Sequence, residues 1–412
     1  MALRMAQDGR SPVYNERNAI SLFLDKGLLE HYAGNYRSSS QDLQEAERLI
    51  EEAFTRSITA EVASYIINDN TKEYPGEDYE DIYINVFNAL NYYHNDNLEG
   101  AMVEIRKITM PNGKLDMLSR KYENSNRTAG DFVISQVRNM GFEFHPDLPK
   151  GEAVNFSNSA LARYLGSLFY LGQGMDDSAN IEFEQLKAAF AGNPKIYNYP
   201  IPLAAYEAQN VPDGKARLDI ISFVGLSPVK EEKLFPGVFP FFNNHILKLV
   251  HFKLPVFVER RTMHPIDRIE VTINNNEKFD LELLENMGDV MKETYNARFS
   301  STFVKTYIRT LLKYAIADVA ATQAGKESSS SFAAYASAVT AKIAADASEG
   351  ADTRMARYFP DKAYVGGINL DPGTYSVTIT YYSGNPVIAR DEPRDVNIRV
   401  NELNLIETFC LR

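Results

Sequence analysis

The sequence has 412 residues, of which 44% are hydrophobic and 24% are charged, a composition typical of a globular protein with room for two domains of ~150 residues. The formal net charge of −12 excludes a typical nucleic-acid-binding surface, because phosphate-binding domains concentrate Lys and Arg, and no cluster of these residues occurs. The single cysteine, Cys410, excludes an internal disulfide and a zinc site of the usual four-ligand kind.

The first part of the chain has the periodicity of two paired helices. Apolar residues recur at steps of three and four within Ile20–Leu28 and again within Leu43–Phe54, and Gly34 lies in the connection. Ser38 followed by Gln41 predicts a capping box at the start of the second helix. The pattern therefore predicts a helical hairpin.

The stretch Asn68–Ile108 predicts a second hairpin, and the rest of the fold is organised around it. Its first helix carries one apolar stripe, formed by Ile82, Val86, Leu90 and Tyr93. The second helix, within Leu98–Ile108, carries another. A hairpin with one stripe per helix cannot bury both faces alone, so it needs similar neighbours.

A third hairpin is predicted at Ser159–Phe190, where Leu165-Gly166 with Tyr170 resembles the tetratricopeptide signature and Asp176 or Asp177 can cap the second helix. The equivalent small residues of the three hairpins are Ser39, Ala101 and Ala179. Their separations are 62 and 78 residues (101 − 39 and 179 − 101), whereas a strict array gives multiples of ~34. Residues 1–200 are therefore predicted to form a tetratricopeptide-like helical repeat superhelix with interruptions.

Prolines and glycines concentrate in Asn193–Gly214, which predicts the domain boundary and places a mixed α/β domain at residues 201–412. Helices are expected at Leu283–Ala297, Ser301–Ala321 and Phe332–Ala347. The predicted strands are Ala216–Val224, Leu254–Arg260, Ile269–Ile273, Lys278–Leu281, Tyr364–Leu370, Thr374–Tyr382, Arg394–Val400 and Leu405–Cys410. The expected fold class is α+β, and the second domain is expected to end in antiparallel strands.

The sequence contains none of the common motifs for nucleotide binding, zinc proteolysis or serine hydrolysis. The nearest pair of histidines, His245 and His251, has a spacing that does not place both on one helical face. Cys410 has no adjacent base and is expected to be a small buried hydrophobe. We therefore expect no catalytic residues, no metal site and no cofactor.

The candidate binding residues lie on the central hairpin, where tyrosine and amide side chains can hold a peptide or a small ligand. They are Tyr79, Glu80, Asn88, Asn91, Tyr92, Glu104 and Arg106. Tyr79, Asn88 and Tyr92 are expected to line a concave surface outside the core stripe, and Arg106 is expected to pair with a carboxylate. The alternative interpretation is that these residues lock adjacent helices together.

Several separate stretches resemble a group of uncharacterised bacterial envelope lipoproteins with a tetratricopeptide-like N-terminal half. These stretches are Asn68–Asp81, Ala89–Tyr93, Ala101–Lys107, Asp219–Phe235, Arg309–Ala317 and Asp352–Ile379. The resemblance implies a periplasmic protein held to a membrane by an N-terminal lipid. This chain departs from that pattern because it lacks the leader and its lipidated cysteine, so a cytoplasmic location stays open.

The preferred function is a non-catalytic interaction or scaffold protein of the cell envelope, which binds a protein or peptide partner on a helical-repeat surface. One alternative is a carrier of a small hydrophobic ligand in a superhelical pocket, and a weaker one is an enzyme with an unrecognised site. No nucleic acid is expected as a partner, and membrane contact is expected only through the lipid anchor. A carrier should show a closed apolar cavity, whereas a scaffold should show a broad concave surface.

Overall fold

Helices and strands occupy different parts of the chain in the computed structural model, which describes residues 16–59, 73–125, 156, 158–240, 247–297 and 350–412. A 3-10 turn at Glu16–Asn18 precedes the helices α1 (Ala19–Tyr32), α2 (Tyr36–Thr59), α3 (Asp78–His94), α4 (Leu98–Thr109), α5 (Lys114–Ser125), α6 (Ala160–Gly172), α7 (Asp176–Gly192) and α8 (Leu203–Glu207). Residues 287–297 are also helical.

The strands are β1 (Ala216–Leu226), β2 (Val229–Pro240), β3 (Leu247–Val258), β4 (Arg268–Ile273), β5 (Glu277–Asp280), β6 (Glu282–Asn286), β7 (Pro360–Leu370), β8 (Gly373–Tyr382), β9 (Val387–Arg390), β10 (Arg394–Ile398) and β11 (Asn404–Cys410). The predicted α+β class is confirmed. The predicted strands are present, while β2 and β9 were not predicted.

The three predicted hairpins, α1–α2, α3–α4 and α6–α7, share one turn geometry. Each first helix is followed two residues later by a residue in the left-handed region: Gly34 (φ 77°), Asp96 (φ 56°) or Gly174 (φ 66°). The amide of that residue donates to the carbonyl three residues back at 2.9–3.0 Å, and the next amide donates to the carbonyl five residues back. This pair of bonds is the Schellman ending, which satisfies the free carbonyls of a helix and fixes where the next helix begins.

The small residues Ser39, Ala101 and Ala179 each lie five positions after the left-handed residue, and all three are fully buried. They let the two helices of a hairpin approach closely. Ser39 Oγ donates to the Gly27 carbonyl oxygen at 2.7 Å, and a Cβ added at Gly27 would lie 2.7 Å from Leu43. The three hairpins are therefore equivalent in their turns and in the burial of these small residues.

The strands form two main sheets and one ribbon. The first sheet has the order β11-β1-β7-β6, the second has the order β10-β8-β4-β5 with β9 also on β8, and β2 pairs with β3. Strand β11 pairs with β1 in parallel, unlike the antiparallel ending expected. The long chain between β1 and β11 permits this, because only adjacent strands joined by a tight turn must be antiparallel.

The first sheet is a middle layer between the helices and the second sheet. In β1, Ile221 and Phe223 belong to the apolar cluster of the helices, whereas Leu218, Ile220 and Val224 belong to the cluster between the two sheets. Burial on both faces accounts for the nearly continuous apolar run of this strand. The helix-side cluster draws buried side chains from both sides of the predicted domain boundary.

Several local predictions were wrong. Helix α2 begins at Tyr36, so Ser38 lies inside it; the observed capping box joins Glu77 and Glu80 at the start of α3. Asp176 lies in the first turn of α7 and Met175 is its N-cap. Residues 283–286 belong to strand β6, because pairing with β7 overrides their helical periodicity.

The predicted helices Ser301–Ala321 and Phe332–Ala347 lie outside the described residues. Among the helices that the structure does describe, none is long and apolar enough to cross a membrane.

Candidate functional site

Most of the predicted binding residues lie in the core, some beneath the strands and others between helices. Tyr79 and Asn88 are fully buried in α3. The ring of Phe87, between them on the same helix, lies 5.1 Å from that of Phe223 and 6.0 Å from that of Phe359. The expectation that Tyr79 and Asn88 lie on an open concave surface is therefore wrong: the ring of Tyr79 lies against those of Phe257 and Phe359, and Asn88 is equally buried.

Glu80 holds a neighbouring segment in place. Its carboxylate accepts from the Tyr74 hydroxyl at 2.8 Å, from the Glu77 amide at 2.9 Å and from the Ala356 amide at 2.6 Å. Burial and the nearby Glu77 carboxylate raise the pKa of Glu80 to about 7. This predicted site residue therefore joins α3 to the segment that leads into β7.

The second helix of the central hairpin contributes to a network of buried charges. Asn85 donates to Glu47 at 2.8 Å and to Glu104 at 2.6 Å, and Lys107 reaches the same two carboxylates. Burial alone would raise the pKa of Glu47, but Lys114 and Lys107 lower it to about 2. The predicted residue Glu104 thus serves to join helices α2, α3 and α4, as the alternative interpretation of the sequence proposed.

Arg106 and Tyr92 lie nearer the surface. The predicted Arg106–carboxylate pair is absent from the ion pairs between described residues. Arg106 Nε instead donates to the Met102 carbonyl oxygen at 3.2 Å. Tyr92 is half-buried and accepts a hydrogen bond from Gln44 at 3.0 Å. Of the predicted set, these two side chains remain within reach of a partner.

A second buried carboxylate, Glu285 in β6, lies where the sheet meets α3 and α6. It accepts from the hydroxyls of Tyr83 (2.8 Å), Ser159 (3.0 Å) and Tyr197 (2.6 Å) and from the Leu161 amide (3.1 Å). All these donors are neutral. Burial raises the pKa of Glu285, and the hydrogen bonds offset only part of that rise.

The third buried carboxylate, Glu407 in β11, lies between two histidines. His31 Nε2 is 2.7 Å from its Oε1 and His94 Nε2 is 2.6 Å from its Oε2. His31 is fully buried in α1, and the half-buried His94 stacks on Tyr36 with ring centroids 4.3 Å apart. This cluster joins the edge strand of the middle sheet to the first and second hairpins.

In this cluster, each charged group shifts the pKa of its partner so that the charged forms of both are favoured. Burial alone would raise the pKa of Glu407, but His31 and His94 lower it to about 2. Burial alone would lower the pKa of His31, but the charge of Glu407 and its hydrogen bond raise it. The two groups are therefore an ion pair rather than a poised acid and base.

An open groove of about 420 Å³ lies at the edge of β7 beyond its pairing with β6. It is lined by Tyr206, Glu207, Asn210, Gly367, Ile368 and Asn369. In the described part of the chain, no three His, Cys, Asp or Glu side chains are arranged to hold a metal ion.

The sequence contains one signal for the histidine cluster that the predictions above do not include. Leu405, Glu407 and Phe409 lie on the same face of β11, so a carboxylate interrupts an otherwise apolar row. Such a residue needs a buried partner. That partner is His31, which is 376 residues away along the chain.

No protein-family model, no curated protein and no solved structure matches this chain.

Proposed function

We propose that the chain is a non-catalytic scaffold protein of the cell envelope that binds a protein partner through the outer faces of a tetratricopeptide-like repeat superhelix. The repeat interpretation is supported by the shared turn of the three hairpins. The envelope location and the lipid anchor rest on the resemblance of the sequence to bacterial lipoproteins.

The observation that carries the proposal is a pair of exposed apolar side chains at equivalent positions. Val103 in α4 and Ile181 in α7 each lie seven residues after the left-handed residue of their hairpin. They are 45% and 62% exposed. Second helices that present apolar residues at one repeat position form a surface suited to a protein partner.

The charge around these residues indicates the chemistry of that partner. Asp176 and Asp177 lie exposed in the first turn of α7, and Glu99 lies exposed in the first turn of α4. Carboxylates beside apolar contacts favour a partner that presents apolar side chains among basic ones. The carrier alternative is less favoured, because the sheet packs against the face of the first helices where a superhelical pocket would lie.

The control for the test is a substitution at the equivalent position of another hairpin. A Val103→Ser, Ile181→Ser double variant and a Gln41→Ser variant, which changes the exposed residue at the same position of the first hairpin, are compared with the wild type. A partner recovered from envelope extract is purified, and its dissociation constant is measured for all three proteins at two salt concentrations.

We expect the double variant to bind at least about tenfold more weakly, since two apolar contacts of about 1 kcal/mol each are lost, while Gln41→Ser binds like the wild type. Higher salt should also weaken wild-type binding. Equal dissociation constants for the double variant and the wild type contradict the proposed surface.

A further inference from the structure

The hydrogen bonds around His31 determine where its protons lie. Ser39 Oγ donates its one proton to the Gly27 carbonyl oxygen at 2.7 Å, so its lone pair accepts from Asn91 Nδ2 at 2.8 Å. The other end of that amide, Asn91 Oδ1, lies 2.7 Å from His31 Nδ1. A carbonyl oxygen can only accept, so His31 Nδ1 carries a proton.

The second ring nitrogen of His31 faces a carboxylate. Nε2 lies 2.7 Å from Glu407 Oε1, and the other carboxylate oxygen is bonded by His94. The pKa of Glu407 is lowered to about 2 by His31 and His94, so its carboxylate is ionised and only accepts. Protons on both nitrogens make the ring an imidazolium, although its side chain is fully buried. The raised pKa of His31 agrees with this assignment.

We propose that the buried His31–Glu407 pair is a pH-operated clasp that holds strand β11 on helices α1 and α3. Strand β11 is the edge of its sheet in the described chain and pairs there only with β1. It can therefore leave while β1, β7 and β6 stay paired. Its departure exposes the faces of α1 and α3 that it covers.

The surroundings of His31 contain few other charges. The titratable and charged groups on the elements around the ring are Asp25, Glu30 and Tyr32 of α1, Tyr36 of α2, His94 of α3, Glu407 of β11 and Arg394 of β10. Arg394 reaches the main-chain carbonyl of Glu407 at 3.5 Å and pairs with Asp391. Glu407 is the one carboxylate bonded to the ring among the described residues.

The direction of the pH response follows from these contacts. The pKa of His31 is raised above 6.5 when β11 is in place, so the contribution of His31 is fully present below pH 6.5 and is lost as pH rises through the raised value. The pKa of Glu407 is lowered to about 2, so its contribution is present above pH 4.5 and is lost as pH falls toward 2. The clasp is therefore strongest between about pH 4.5 and 6.5.

The first test measures the protonation state of both ring nitrogens of His31 in the wild-type protein. Imidazole nitrogen chemical shifts are measured by NMR across pH 5 to 9, with the six histidines distinguished by single substitutions. We expect both nitrogens of His31 to be protonated at pH 6 and to titrate above the ordinary histidine value. A neutral His31 ring at pH 6 in the folded protein overturns the proposal.

The second test measures the opening of β11. Hydrogen exchange of residues 404–410, corrected for intrinsic rates, is followed from pH 6 to 9 in the wild type, in Glu407→Gln and in His264→Gln, where His264 is an exposed control. The opening constant of the wild type and of His264→Gln should rise by up to about tenfold per pH unit.

Glu407→Gln should remove this pH dependence. The amide of the new glutamine can donate to Nε2 of a neutral His31 ring, so the hydrogen bond between positions 31 and 407 no longer requires a charge on either side chain. A pH-independent opening constant in the wild type, or the same rise in Glu407→Gln, overturns the clasp. If Glu407→Gln does not fold, the pH dependence of the wild-type opening constant still tests the clasp.

Discussion

Glu285 and Glu407 are both buried where the helices meet the sheet, and their pKa values are shifted in opposite directions. Glu285 meets only neutral hydroxyls and one amide, and its pKa is raised. Glu407 meets two histidines, and its pKa is lowered to about 2. Burial is equally complete at both positions. The kind of donor therefore decides in which direction the pKa of a buried carboxyl group is shifted.

The same difference determines how each site responds to pH. Glu285, with its raised pKa, favours the folded state below its unfolded value of 4.5 and loses that contribution as pH rises. Glu407 contributes above 4.5 and loses its contribution as pH falls toward 2. Lowering the pH therefore favours the folded state through Glu285 and disfavours it through Glu407.

The largest effect is expected from Glu285→Ala. It leaves the hydroxyls of Tyr83, Ser159 and Tyr197 without their acceptor inside the core, so the free energy of unfolding should fall by about 3–5 kcal/mol. Urea unfolding at pH 7 measures the loss. Glu277→Ala, at an exposed position of β5, should change it by less than about 0.5 kcal/mol. A loss below about 1 kcal/mol at Glu285 would mean that its donors find other acceptors.

A smaller effect, about 2–3 kcal/mol at pH 6, is expected from Glu407→Ala, because His31 can release its proton whereas neutral hydroxyls cannot adapt. The deficit should shrink as pH falls from 4.5 toward 2, where the wild-type carboxylate also loses its charge. Thermal unfolding across this pH range tests the trend, with the exposed Glu402→Ala as control. A deficit as large as that of Glu285→Ala would remove the distinction between the two sites.

The smallest effect is expected from Tyr83→Phe, which removes one of several donors to Glu285 and should cost about 1 kcal/mol. It should also raise the pKa of Glu285 further. Denaturant midpoints measured beside those of Tyr206→Phe, an exposed tyrosine, isolate the buried hydroxyl. Equal midpoints would show that the remaining donors satisfy Glu285 without Tyr83.

The sequence predicted the local structure better than the assembly. Helical periodicity located the three hairpins, and the equivalence of Ser39, Ala101 and Ala179 matches the observed turns. The strand predicted at Thr374–Tyr382 is observed as β8, in which Val377, Ile379 and Tyr381 are buried. These patterns depend on neighbours within a few residues, and such neighbours are visible in one sequence.

The site was predicted less well, because its geometry depends on contacts between distant parts of the chain. Asparagines and tyrosines on α3 suggested an exposed binding face, but the ring of Tyr79 packs against that of Phe359, just before β7, while Asn85 and Asn91 bond to residues of α4 and α2 within the core. Asn88 is also buried, and no partner for its amide is found in the described chain. Periodicity identifies the stripe that meets the adjacent helix, but not a second layer that arrives from far along the chain.

The position of β11 has a consequence for synthesis on the ribosome. The hairpins α1–α2 and α3–α4 emerge first, while the strand that brings Glu407 to His31 follows 376 residues after that histidine. At 5–20 residues per second, the helices wait on the order of tens of seconds for their cover. During that interval His31 and Tyr32, whose rings lie against that of Phe409 in the folded protein, lack this cover and are open to chaperones that bind exposed apolar surface.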